Sequence, residues 1–236
     1  AMVKAIREQT KVVSVALVGK YVTVPDAYLS VTEALLHAGI SEDVRVRITP
    51  VNSEELVEET ADRLLKGYQA ILVPGGYGDR GTDGLVVAAR YARENRIPFL
   101  AIGFGMQLAV VEAVRSLLGI ADANTTEVDP QTPNAVVRIP EDRVCQNDSR
   151  GATRMGGSDV RLSESLLLGI YGTPVVRERH SNRYEVDQRY VAPLAEKGYK
   201  LVATSLDTGY PEAFELEGHP FYVTVVYHPE YQSRPN

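Results

Sequence analysis

Tyr227-His228-Pro229-Glu230 sits at the end of an apolar run near the C-terminus. A histidine with a carboxylate two residues on can form a base and its orienter, the acid fixing the tautomer and stabilising imidazolium. A strand-end histidine on a polar surface has the same local sequence. A second candidate is Ala101-Ile102-Gly103-Phe104-Gly105-Met106-Gln107, where an apolar run passes into helical periodicity with almost no loop. That junction resembles a nucleophile elbow, a strained turn that lifts one side chain over a helix N-terminus. The apex of such an elbow should be serine or cysteine, and the residue there is Gly103. A third candidate is Pro74-Gly75-Gly76-Tyr77-Gly78, directly after another apolar run. Its glycines let backbone N–H groups turn outward toward an anion, although a plain strand-to-loop turn needs the same residues. Arg179-His180-Ser181-Asn182-Arg183-Tyr184-Glu185 offers two arginines that could clamp a carboxylate, or a solvated charged loop. His37 and His219 read as structural or exposed. No His/Cys/Asp/Glu grouping has metal-ligand spacing, so no metal or cofactor is expected.

These residues need elements to hold them. Val12–Val18, Val44–Ile48, Ala70–Val73 and Ile97–Ile102 read as strands, the apolar ones suited to a sheet covered on both faces. Between them the periodicity predicts helices from Pro25 and Asp26 to Gly39, from an N-cap at Ser53 to Leu65, over Asp83–Asn95 and over Met106–Leu118. This strand–helix alternation implies βαβ units and a parallel sheet. The stretch Ala121 to Gly157 is rich in Asp, Asn, Thr, Pro and Gly and reads as loops with short strands. Val175–Val176, Lys200–Thr204, Ala213–Leu216 and Phe221–Tyr227 are later strands, with helical signals at Ser163–Leu168 and Tyr190–Lys197. No repeat or linker interrupts the chain, so residues 12–236 are expected to form one α/β domain, with residues 1–11 an N-terminal extension or expression remnant.

Length and composition narrow the function. The chain has 236 residues, 44% hydrophobic and 24% charged, which excludes wholesale disorder. Its 25 basic and 31 acidic residues give a net charge of −6, against a non-specific nucleic-acid binder. No apolar run approaches the ~20 residues of a membrane helix. The lone cysteine, Cys145, excludes an internal disulfide and suggests a reducing, cytoplasmic setting. It also limits thiol chemistry to one position.

Taken in order, the motifs resemble those of a known family. Gly19-Lys20-Tyr21-Val22, Asp26-Ala27-Tyr28, Ser30-Val31-Thr32-Glu33-Ala34-Leu35, Pro74-Gly75-Gly76-Tyr77-Gly78 and Arg80-Gly81 look like the glutaminase domain of CTP synthases. The likeness continues through Tyr91-Ala92-Arg93-Glu94-Asn95, Gly105-Met106-Gln107-Leu108-Ala109, Ala123-Asn124-Thr125-Thr126-Glu127, Arg183-Tyr184-Glu185-Val186 and His228-Pro229-Glu230. It runs from about Val12 onward through nearly the whole chain. The resemblance implies a three-layer class I glutamine amidotransferase fold, with a central mostly parallel sheet flanked by helices. It implies glutamine hydrolysis, with the ammonia passed to a synthetase domain that aminates UTP in pyrimidine nucleotide biosynthesis. By position, Gly76 and Phe104 match the oxyanion hole, and Gly75, Gln107, Glu127 and Arg183 match substrate-binding positions. Glu127 would face the α-amino group and Arg183 the α-carboxylate. His228 and Glu230 match the general base and its orienter.

Two departures stand against that pattern. The family's nucleophilic cysteine falls on Gly103, so no thioester can form there. Cys145, in a polar loop, lacks the elbow's activating geometry and is a poor substitute. The chain also starts at Ala1 without a synthetase segment, which suggests an excised piece or a free-standing domain served by a separate synthetase partner. Three readings stay open. The chain is a non-catalytic module that binds glutamine or a related amino acid, an active-site variant of a true glutaminase, or a slow hydrolase in which His228 activates water directly.

Overall fold

The computed structural model describes residues 9–24, 26–144 and 153–235. Cys145 lies outside the described residues. In chain order the elements are β1 (Val12–Gly19), α1 (Leu29–Ser41), β2 (Arg45–Asn52), α2 (Glu58–Leu65), β3 (Ala70–Val73), α3 (Thr82–Glu94), β4 (Phe99–Ile102) and α4 (Phe104–Leu117). Then follow β5 (Ala123–Thr125), β6 (Asn134–Arg138), α5 (Glu141–Val144), β7 (Arg154–Leu162), α6 (Leu166–Tyr171), β8 (Val175–Asn182) and β9 (Glu185–Val186). The chain closes with α7 (Val191–Glu196), β10 (Tyr199–Ser205), β11 (Pro211–Leu216) and β12 (Tyr222–Val225).

Nine strands form one sheet in the order β2-β1-β3-β4-β12-β11-β10-β7-β8. The first five are mutually parallel, as the βαβ alternation predicts, and the remaining four add antiparallel. A small second sheet holds β5, β6 and β9. Strand alternation sends side chains to two covered faces. On β1, Val15 and Leu17 pack toward Val31 of α1, while Ala16 and Val18 join the cluster under α2, α3 and α4. Leu167 of α6 covers Val160, Val223 and Val225 on the later strands. The central helix α4 is buried from Phe104 through Val114, including Glu112, which the Arg93 guanidinium holds at 2.8 Å. Gln9 and Lys11, assigned by sequence to an N-terminal extension, are tied in. The Gln9 amide donates to the Gly39 carbonyl at 3.0 Å, and Lys11 accepts from the Arg45 N–H at 2.8 Å.

Three local expectations are corrected. Ser53 does not cap a helix: Asn52 accepts from the Glu54 N–H, a short 3₁₀ turn spans Ser53–Glu55, and α2 starts at Glu58. Packing explains the change, because the Ser53 carbonyl lies so close to Gly84 of α3 that a Cβ there has no room. The first helix begins at Leu29 rather than at Asp26, and Pro25 lies outside the described residues. Arg154–Gly157, expected to fall among loops with short strands, belong to a nine-residue strand, Arg154–Leu162, paired with β8. Among the described residues no helix is long and apolar enough to cross a membrane.

Candidate active site

Gly103 alone separates β4 from α4, with φ +57° and ψ −118°. Only glycine takes this conformation without strain. Its N–H donates to the Val225 carbonyl of neighbouring β12 at 2.8 Å, and its carbonyl accepts from the Gln107 N–H at 3.2 Å. The turn is therefore anchored on both sides. A Cβ placed there would lie 3.2 Å from Cε1 and Nε2 of the His228 imidazole. A Cβ on Gly75 would lie 3.0 Å from the same Cε1, so Gly75, Gly103 and His228 meet at one point.

His228 follows β12, and its N–H donates to the Arg179 carbonyl at 2.8 Å. Its Nδ1 lies 2.8 Å from Oε1 of Glu230, and the Tyr231 ring stacks on it at 5.2 Å. An ionised carboxylate only accepts, so Nδ1 carries the proton and Nε2, on the Gly103 side, is the basic nitrogen. Both residues are buried. The 3₁₀ turn Pro229–Gln232 keeps histidine and acid on the same side of the chain.

Two cavities adjoin the elbow. One, of about 200 Å³, is lined by Gly75, Gly76, Phe104, His228 and Glu230. The other, of about 260 Å³, is lined by Gly76, Phe104, Gln107, Glu127, Asn182 and Arg183. Tyr77 stands between them. Its hydroxyl reaches the Ser181 carbonyl at 3.1 Å and the Ser181 hydroxyl at 2.9 Å. Gly76, Tyr77, Phe104 and Ser181 belong to both cavities and form the shared wall.

The larger cavity is electrostatically two-sided. Burial raises the Glu127 pKa, opposed by the Gly78 N–H bonded to its Oε1 at 2.7 Å and by the charges of Lys20 and Arg183. Gln107 donates to the Tyr184 carbonyl at 3.0 Å, and Asn182 donates to the same carbonyl at 3.1 Å. The amide oxygens of both, with Nε of Arg183, are buried without a hydrogen-bond partner among the described residues. A buried polar atom left unpaired costs ~1–3 kcal/mol, so these walls favour a polar occupant.

All nine residues singled out by sequence lie at this locus: Gly75, Gly76, Gly103, Phe104, Gln107, Glu127, Arg183, His228 and Glu230. Arg179 does not join Arg183. It is exposed on β8, so the two-arginine clamp reduces to one arginine. His180 is not in a solvated loop but buried in β8, bonded to Glu212. His37 meets the Ser233 hydroxyl at 2.9 Å, and His219 meets the Ala92 carbonyl at 3.2 Å. Among the described residues no three His, Cys, Asp or Glu converge as metal ligands. Sequence reasoning did not single out Tyr77, Asn182 or Lys20 as parts of the site. Each lies inside a motif already noted, but only tertiary contact gives it a partner.

Comparison with known proteins places the chain in a family. The family model described as glutamine amidotransferase class-I matches residues 23–236. The CTP synthase of Desulfitobacterium hafniense (strain Y51) is 47% identical over 236 residues, covering 100% of this chain and 44% of that protein. The CTP synthase of Bacillus thuringiensis (strain Al Hakam) is 43% identical over 237 residues, again covering 100% of this chain and 44% of the relative. The chain thus spans less than half the length of these relatives. Among solved structures, the glutaminase domain of Trypanosoma brucei CTPS with bound acivicin superposes with a TM-score of 0.86 at 38% identity, covering 94% of this chain and 88% of that one. A glutamine amidotransferase from Thermotoga maritima, at 14% identity and a TM-score of 0.56, covers 92% of this chain and 76% of that one; it shares the fold alone.

Proposed function

The chain belongs to the class-I glutamine amidotransferase family, in its CTP synthase type, and we propose that residues 12–236 are a glutamine-binding domain whose elbow lacks the nucleophile. One observation carries this reading. Glu127 and Arg183 line a single cavity of about 260 Å³, whose walls also hold the unpaired amide oxygens of Gln107 and Asn182. A carboxylate and a guanidinium in so small a space suit a zwitterion, Glu127 taking the α-ammonium and Arg183 the α-carboxylate. The cavity falls just below the ~300–1,000 Å³ of drug-sized ligand sites, which fits an amino acid. Gly75 lines the neighbouring chamber against His228. Gly76 and the Phe104 N–H, at the start of α4, are the groups that would receive a side-chain amide oxygen.

With hydrogen at Gly103, His228 has no thiol to deprotonate and the covalent route to glutamate is closed. The domain binds glutamine or a close analogue without turning it over by that route. In the complete protein, a synthetase portion or separate synthetase partner would use the ammonia of an active site to aminate UTP. A cytoplasmic setting goes with this reading.

A second reading is favoured by the elbow itself. Gly103 keeps the tight strand-to-helix turn of an elbow, and His228 keeps Nδ1 on Glu230 with Nε2 beside the position a side chain would take. The site is thus one side chain short of a glutaminase, and the chain reads as an active-site variant. One experiment addresses both readings. Calorimetry of the unmodified chain with millimolar glutamine should give heat of binding, and its absence overturns the glutamine site. Gly103→Cys should release ammonia from glutamine; a folded but inert G103C refutes the second reading alone. That substitution should also lower stability by ~1–3 kcal/mol, the cost of a strained backbone position.

A further inference from the structure

Lys20 directly follows β1, with only 3% of its surface exposed. Its ammonium donates to the Tyr77 carbonyl at 2.8 Å and to the Gly78 carbonyl, and lies 4.4 Å from the centre of the Phe104 ring. A buried lysine is costly unless its proton donors are used, and here they are used on backbone carbonyls rather than on an acid. The arrangement around one peptide group is the informative part. The Tyr77–Gly78 peptide receives Lys20 at its carbonyl end and gives its N–H to Glu127 Oε1 at 2.7 Å. A peptide dipole points its positive end along the N–H. Placing a cation at the oxygen and an anion at the hydrogen holds that dipole at both ends, and each charged bond strengthens the other.

We propose that Lys20 is a positioning residue for Glu127, acting through the Tyr77–Gly78 peptide group. It fixes the rotation of that peptide, and so the place and charge of the carboxylate in the cavity. This inference rests on the reading that Glu127 receives the amine of a glutamine-class ligand. The groups facing Lys20 come from three stretches of chain: Glu127 across the peptide, Asp79 and Arg80 beyond the turn, and Tyr21, whose hydroxyl also donates to the Tyr77 carbonyl at 3.4 Å. Burial lowers the Lys20 pKa to about 8, reinforced by Arg80 and opposed by Glu127 and Asp79. Once Lys20 loses its proton, it can no longer support the charge on Glu127.

Two measurements test this, on the ligand-free and the glutamine-bound chain. In the first, the Glu127 carboxyl is titrated by ¹³C NMR in the unmodified chain, K20M and K20R. Lys20→Met keeps the apolar bulk, and circular dichroism establishes that it is folded. Its Glu127 midpoint should move upward, while Lys20→Arg should restore it; an identical midpoint in all three overturns the proposal. In the second, glutamine affinity is followed across pH. Lys20→Met should weaken binding about tenfold at neutral pH, the scale of losing an outer residue that orients a ligand-binding group. Affinity of the unmodified chain should fall above a pH of about 8, and K20R should keep more of it, the titration of glutamine's own amine being common to both. Equal affinity of K20M and the unmodified chain overturns the proposal. If the unmodified chain binds no glutamine but the Glu127 midpoint still moves, the glutamine reading fails and the action of Lys20 on Glu127 stands.

Discussion

Among the described residues, two buried histidine–carboxylate pairs have the same separation and different surroundings. His228 and Glu230 meet at 2.8 Å, and so do His180 and Glu212. Both imidazoles pack against a tyrosine ring, Tyr231 for the first and Tyr227 for the second. The difference lies in the other ring nitrogen. His180 uses it on the Glu178 carbonyl at 3.1 Å, and Glu212 also holds Arg154 at 2.6 Å, so both nitrogens of this buried ring are engaged. His228 has no hydrogen-bond partner at its second nitrogen among the described residues, and that nitrogen lies beside Gly103 at the edge of a cavity. A carboxylate at hydrogen-bond distance therefore does not make a histidine a base. An uncommitted nitrogen with room in front of it does.

The sharpest test of that distinction is catalytic. In the G103C background, His228→Ala should reduce ammonia release by ~10²–10⁴-fold, the range for a general base. His180→Ala should leave the rate per folded molecule unchanged; an equal loss from His180→Ala would erase the contrast. Next comes stability, where the pairs should exchange roles. Glu212→Ala strands Arg154 and His180 in the interior and should cost ~3–5 kcal/mol in urea unfolding. Glu230→Ala removes an acid whose second oxygen is already buried without a partner, and should cost about 1 kcal/mol. The smallest effect concerns a third acid, Glu127. Burial raises its folded pKa, so its ionised form opposes folding, and that penalty grows as pH rises from the unfolded value of 4.5 through the folded one. Glu127→Gln should therefore gain stability relative to the unmodified chain on going from acid to neutral pH, while losing glutamine affinity. Parallel stability curves would show that Glu127 is not desolvated enough to matter.

Sequence reading reached one side of this contrast and missed the other. The parallel half of the sheet was legible because its inner strands are buried on both faces: Ala70–Val73 is apolar without a break, whereas the edge strand β2 is partly exposed. His228 was legible through its order after Gly75, Gly103 and Glu127. Beyond Val175–Val176, which the sequence reads as a strand, β8 hid because its pattern is inverted. Glu178, His180 and Asn182 point inward and Arg177 and Arg179 outward, so hydrophobicity marks neither face. Its partner β7 carries Gly156 and Gly157 and exposes Met155, which reads as a turn. Lys20 hid for another reason. Its partners are main-chain carbonyls, which no residue type announces, and they arrive from a loop 57 positions later. Asn182 likewise gains meaning only from the cavity wall it completes.

The Tyr77–Ser181 bond has a consequence for how the protein comes into being. It joins residues 104 positions apart, one following β3 and the other within β8, so it spans the parallel and antiparallel halves of the sheet. Closing so long a loop carries an entropy cost that local helices and hairpins escape. The remaining walls come from the turn after β3, the start of α4, the stretch after β5, Thr153 before β7, and the end of β8 with the turn after it, so the cavity exists only where both halves of the sheet are in place. A ligand that needs all of these walls would count only molecules in which they have met.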